Sequence, residues 1–140
     1  MGVAAIVWPL VAQVALTALV WVALYVQRLG EIGRRRLDPQ SLRTSRHALG
    51  VLEDVAAADN FRNLFEVPVL FFAAGGVLAA LGGASALEVA LAWSYVALRA
   101  LHSLIHLTYN RVVHRFAAYA ASTLAVFALW ALIARDLAAR

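Results

Sequence analysis

Cysteine and lysine are both absent from the 140 residues, and only 14% of them are charged. Without cysteine there is no disulfide framework, no thiolate metal cluster and no sulfur nucleophile belonging to the chain, so any sulfur chemistry must come from a ligand. Without lysine all twelve basic residues are arginine, set against eight acids for a formal net charge of +4. These arginines fall in clusters rather than over a solvated surface, which argues against a nucleic-acid partner. A basic leader is missing as well: the first charged side chain is Arg28. The apolar run before it is too long for the core of a secretory signal and reads as a retained helix. What the chain has instead is apolar mass. Hydrophobic residues make up 64% of it, with a mean hydropathy of +0.78, against roughly 45–50% apolar usage in soluble domains. A soluble core does not explain that excess.

A bilayer core about 30 Å thick takes about 20 helical residues, and residues 4–26 supply such a run without a charge. Pro9 lies in its opening turns, where a missing amide matters least, and Trp8 and Trp21 lie toward its two ends as interfacial aromatics do. Residues 28–60 are polar, with Arg28, Arg34, Arg35, Arg36, Arg43 and Arg46 and the turn signal Asp38-Pro39, and read as a basic loop outside the membrane. Further spans are expected over 61–81, ended by Gly82-Gly83, over 86–109, and over 116–133, ended by Arg135 and Asp136. The short links imply antiparallel neighbours. The expected fold class is therefore all-α: one transmembrane domain over 1–140, built as an antiparallel four-helix bundle. Arginine is plentiful in the 28–60 loop, present as Arg111 and Arg115 at the third turn and absent from 82–85. By the positive-inside rule that loop is cytoplasmic and both termini lie on the opposite side, with Arg135 and Arg140 running against the contrast.

An arginine in mid-membrane costs on the order of 2.5–3.5 kcal/mol on insertion scales, so such residues face a bundle interior or a watery cavity. On the second span Asp59, Arg62, Asn63 and Glu66 recur at three- and four-residue steps, and Arg62 and Glu66 are spaced to pair. On the third, Tyr95, Arg99, His102, His106 and Tyr109 form one stripe. On the fourth, Arg111, Arg115 and Tyr119 do the same. Packed inward, these stripes make a cationic cavity with one carboxylate, suited to an anionic ligand. Plainer readings stand beside this one. Arg62 with Glu66 can be a neutralised pair that specifies packing, Arg111 a snorkelling interfacial charge, and Arg34 to Arg36 a topology signal or a contact for anionic lipid heads. His102 and His106 have metal-ligand spacing but lack the third and fourth ligands, so no metal is assigned. Pro68 removes an amide and predicts a kink just after Glu66.

The run Arg62-Asn63-Leu64-Phe65-Glu66 with Pro68 soon after is similar to the glutathione-binding Arg-Asn-x-x-Glu segment of the MAPEG family, the membrane-associated proteins in eicosanoid and glutathione metabolism. Arg99, His102 and Arg115 keep that family's order and spacing, and Tyr119 falls where a further tyrosine is expected. The resemblance covers nearly the whole chain and points to a bacterial-type member. It implies a homotrimer in the inner or plasma membrane, with glutathione as co-substrate between neighbouring subunits near the cytosolic face. It implies further that Arg115 is catalytic, that Arg62, Asn63, Glu66, Arg99, His102, His106 and Tyr119 bind glutathione, and that lipophilic electrophiles or hydroperoxides are the second substrate. The chain departs from the family at Asp59, where some members have arginine, at His106, where tyrosine is common, and at Phe116, where one branch has serine. Another small thiol in place of glutathione, or a non-catalytic scaffold or lipid-binding protein that retains the fold, are the alternatives.

Overall fold

The computed structural model describes residues 1–53 and 55–139, apart from the side chains of Ser45, Arg46 and Leu49. Arg140 and the side chain of Arg46, both counted in the topology argument, therefore lie outside the described residues. All regular structure in the described residues is helical: α1 Val3–Arg35, a 3-10 turn Pro39–Leu42, α2 Ser45–Val51, α3 Ala56–Asn63, α4 Pro68–Ala80, α5 Ala86–Leu107 and α6 Val112–Ala138.

The first helix does not stop where its apolar run stops. Ile6, Gln13, Val20, Leu24 and Glu31 follow one another down its buried side, whereas Trp8, Val11, Val14, Leu19, Val22 and Val26 stand on the outside. An apolar outer face on a helix whose inner face is already packed is what lipid contact requires. Past Val26 the helix continues through Arg28 and Arg34, in a segment the sequence reads as loop. Its hold on the following chain explains why. Glu31 accepts from Arg35 Nη1 one turn on at 2.6 Å and from the Glu53 amide at 2.8 Å, and the same Nη1 donates to the Val51 carbonyl at 2.8 Å. The helix ends only at Arg36, whose left-handed φ of 51° lets Leu37 bond back to Ile32.

The second span is broken rather than bent. Pro68 is the first residue of α4, and between α3 and α4 the amides of Leu64, Phe65, Val69 and Leu70 bond three residues back instead of four. The kink expected after Glu66 is thus a short non-helical step over residues 64–67, with Pro68 at the position where its missing amide is tolerated.

Between α4 and α5 the chain reverses through Gly82 (φ 93°) and Gly83 (φ 137°). Gly83 has no room for a side chain, because a Cβ there would run into the carbonyl of Met1. Met1 is bound on both sides: its amine donates to the Ala84 carbonyl at 2.6 Å and its carbonyl accepts from the Ala84 amide at 3.2 Å. Ser85 and Glu88 then close a capping box on α5, at 3.3 Å and 2.7 Å, which accounts for a carboxylate that is only 4% exposed.

Three segments, α1, residues Ala56–Ala80 and α6, are long and apolar enough to cross a membrane. At 22 residues α5 is long enough too, about 33 Å at the α-helical rise, but it carries the polar groups. Glu88, Arg99, His102, Ser103 and His106 are all buried in it. Its polar side is therefore turned inward, packed against α1, α3 and α6, while Leu87, Trp93, Leu101 and Leu104 form an exposed apolar outer face. The shared core gathers Ile6, Phe71, Tyr95, Val126, Leu129 and Ile133, with the Phe71 and Tyr95 rings stacked at 4.3 Å. This is an all-α, antiparallel membrane bundle.

Candidate functional site

The break at Pro68 prepares the site. A helix that ends leaves carbonyls without amide partners, and the carbonyl of Asn63, the last residue of α3, is taken by a buried guanidinium: Arg99 Nη2 donates to it at 2.6 Å. Arg99 is wholly buried, and its charge lies 5.3 Å from the centre of the Tyr119 ring. A cation over an aromatic face at this distance is an attractive contact when desolvated. One turn earlier in α3, Asn60 Oδ1 accepts from Ser103 Oγ at 3.1 Å, so α3 is fastened to α5 at two levels.

His102, one turn beyond Arg99 on α5, reaches across to α6. Its Nδ1 lies 3.0 Å from the Arg115 carbonyl. A carbonyl only accepts, so Nδ1 carries a proton and donates it. The ring lies 5.8 Å from Tyr119 and 5.7 Å from His106. Arg115, in the first turn of α6, donates through Nη1 to Asn110 Oδ1 at 2.7 Å and to His106 Nε2 at 3.2 Å.

Asn63, Glu66, His102, Arg115 and Tyr119 line one cleft of about 190 Å³, with Val112 and Phe116 as its apolar flank. Val112 and Phe116 are largely exposed, so the flank is open sideways. Five of the residues singled out in the sequence thus share a chamber, and Arg99 and His106 stand behind its wall. Connectivity puts the cleft at the end of the bundle where α1 finishes in arginines.

Arg62 is elsewhere. The expected pairing with Glu66 does not form; Arg62 Nη1 lies 3.7 Å from Asp59 instead, and both side chains are exposed. The physical reason is the end of α3 at Asn63: Glu66 lies beyond the last turn, whereas Asp59 is still three residues back on the same helix. Arg62 borders a separate depression with Tyr25, Arg28, Phe61 and Phe65. Tyr109, also on the expected α5 stripe, lies past the helix end with its hydroxyl 3.1 Å from His114 Nδ1. Among the described residues no three His, Asp or Glu side chains gather closely enough to hold a metal ion.

Sequence reasoning overlooked Asn110. Its signal was a single asparagine just past the end of a helix, a residue type that accepts the left-handed conformation, and its φ is 46°. Also overlooked was an apolar groove of about 430 Å³ between α1, α3 and α4, lined by Val14, Thr17, Trp21, Phe61, Phe65 and Phe72 among others.

No curated protein and no solved structure matches the chain. Its family is nonetheless clear, because residues 6–135 match the MAPEG family model, nearly the whole sequence and every span described above. With its all-helical membrane fold and that match, the chain belongs to the MAPEG family, a membrane family of glutathione and eicosanoid metabolism.

Proposed function

We propose that the protein is a glutathione-dependent membrane transferase or peroxidase that activates the thiol as thiolate beside Arg115. The observation that carries this reading is the meeting of Asn63, Glu66, His102, Arg115 and Tyr119 in one laterally open cleft. Glutathione has two carboxylates and an ammonium. The exposed Glu66 carboxylate suits the ammonium, and the Asn63 amide suits a carboxylate. A cysteine thiol ordinarily ionises near pH 8.5, and an adjacent guanidinium favours the thiolate. With its substrate arriving along the apolar flank of Val112 and Phe116, the thiolate would displace the leaving group from an electrophilic carbon to give a thioether. Alternatively it would attack the distal oxygen of a hydroperoxide, breaking the O–O bond to release the alcohol and a glutathione sulfenic acid that a second glutathione converts to the disulfide and water. Arg99 and His106 take supporting roles behind the wall, and Arg62, turned toward α1, takes a direct role only if a neighbouring copy brings it to a site. The assembly we propose is a homotrimer in the inner or plasma membrane, with residues 28–60 cytoplasmic and both termini on the other side.

The test is conjugation of glutathione to a generic lipophilic electrophile by purified protein. Arg115→Ala should lose turnover far more than binding. Undetectable binding at millimolar glutathione, or another small thiol working where glutathione fails, would overturn the assignment of the thiol.

A second reading, a lipid-binding or scaffold protein that retains the fold, is favoured by one observation: the apolar groove between α1, α3 and α4 is larger than the polar cleft. A ligand that binds only the folded state raises its melting temperature. A shift with glutathione supports the enzyme, and a shift with lipid alone supports the scaffold.

A further inference from the structure

The α5–α6 turn does more than reverse the chain. After α5 ends at Leu107, Asn110 takes up the left-handed conformation and its amide bonds back to the Ile105 carbonyl at 2.8 Å. That fold of the turn brings its side-chain oxygen to Arg115 Nη1 at 2.7 Å, on the far side of the loop. The same nitrogen lies 3.2 Å from His106 Nε2. Arginine only donates, so Nε2 must present a lone pair and His106 is the neutral tautomer with its proton on Nδ1. Each Nη of a guanidinium carries two hydrogens. Asn110 and His106 therefore take both hydrogens of Nη1, and among the described residues the N–H groups of Nε and Nη2 make no hydrogen bond. Arg115 lines the cleft, and Nε and Nη2 are the groups left to it for a ligand there.

We infer that Asn110 and His106 are positioning residues for Arg115: they hold one edge of its guanidinium so that the other faces the anion formed in the cleft. The inference rests on the thiol-activating reading of Arg115 for its effect on turnover, but the clamp itself is a property of the chain. An arginine side chain has many rotamers, and its planar fork gives most when it is already oriented. His106 contributes only while neutral, since an imidazolium would set a donor and a positive charge against Nη1. The titratable groups around this contact are His102 on α5, Asp59 on α3, and Glu66 and Tyr119, which line the same cleft as Arg115.

The experiment uses the full chain in detergent and three variants. Asn110→Gly keeps the left-handed backbone and removes the acceptor, Asn110→Asp keeps an acceptor oxygen, and His106→Phe removes the other contact should the turn not survive the first change. Two readouts are followed. The first is turnover with glutathione, together with the pH midpoint of the thiolate absorbance in the complex. The second, independent of glutathione, is the rate at which phenylglyoxal, which condenses across both η nitrogens, modifies Arg115, followed by peptide mass spectrometry. Asn110→Gly should lose about tenfold to a hundredfold in turnover, the range for a hydrogen bond to a charged group, with a smaller change in KM and a higher thiolate midpoint. Asn110→Asp should restore most of both, and Arg115 should be modified several-fold faster in Asn110→Gly and His106→Phe. Faster modification without any glutathione chemistry in the parent protein upholds the clamp and removes the thiol reading. An unchanged modification rate and an unchanged thiolate midpoint in both Asn110→Gly and His106→Phe would overturn the inference.

Discussion

The turn between α4 and α5 satisfies its polar groups with main chain and its own helix cap, whereas the turn between α5 and α6 directs them at Arg115. In the first, Gly82 and Gly83 make the reversal, Met1 and Ala84 exchange main-chain hydrogen bonds, and Ser85 and Glu88 cap the next helix. Every contact there is spent on closing the loop. In the second, Asn110 makes the reversal with a side chain that is then free to reach α6, and His102 and His106 extend the same contacts from the last turns of α5. Two links with one topological task thus differ in what they do with side-chain oxygen and nitrogen. The end of the bundle whose contacts serve a neighbouring arginine is the end where Asn63, Glu66, His102, Arg115 and Tyr119 line one cleft.

Four measurements bear on that contrast. Arg115→Ala should have the largest effect, a loss of roughly a hundredfold or more in glutathione turnover, as for removal of one preorganised donor from a site, with the melting temperature close to that of the parent. If turnover falls only as far as folded protein does, the two turns are alike after all. Gly83→Ala should do the reverse, costing about 1–3 kcal/mol of stability through its left-handed backbone and the Met1 carbonyl in its way, while turnover per folded molecule is unchanged. Ser85→Ala should lower stability by about 1 kcal/mol through loss of the cap, again without touching turnover; thermal unfolding in detergent measures both. The smallest effect belongs to Arg62→Ala. Its pair with Asp59 is exposed, and such pairs contribute well under about 1 kcal/mol. Weakened glutathione affinity in this variant, with stability unchanged, would put Arg62 at a site shared between copies.

The stripe on α5 was legible because helical period alone places Arg99, His102 and His106 on one side, and burial of charge in a membrane forces that side inward. A kink before Pro68 was legible from the missing amide, but not that it would end one helix at Asn63 and start another at Pro68. Arg62 was not, since spacing gives neighbours only while the helix continues, and α3 stops at Asn63 before Glu66 can come round. Nor was the end of α1: a run of arginines and glycines reads as loop until Glu31 is seen bonding both Arg35 and the Glu53 amide, partners supplied by the fold rather than by local pattern. Asn110 shows the same limit, because what it does depends on the position of Arg115 across the turn.

The partner of Arg99 is main chain, and this has a bearing on how the protein tolerates change. A side-chain acceptor is lost by one substitution; a carbonyl is present whatever residue stands at position 63. Asn63 can therefore vary in its side chain, and alter what the cleft recognises, without unfastening the guanidinium behind it. The vulnerability moves five residues along, to Pro68: with an ordinary amide there the helix is free to run on through the step, draw the freed carbonyls back into its own ladder and leave the buried cation with only the Tyr119 ring.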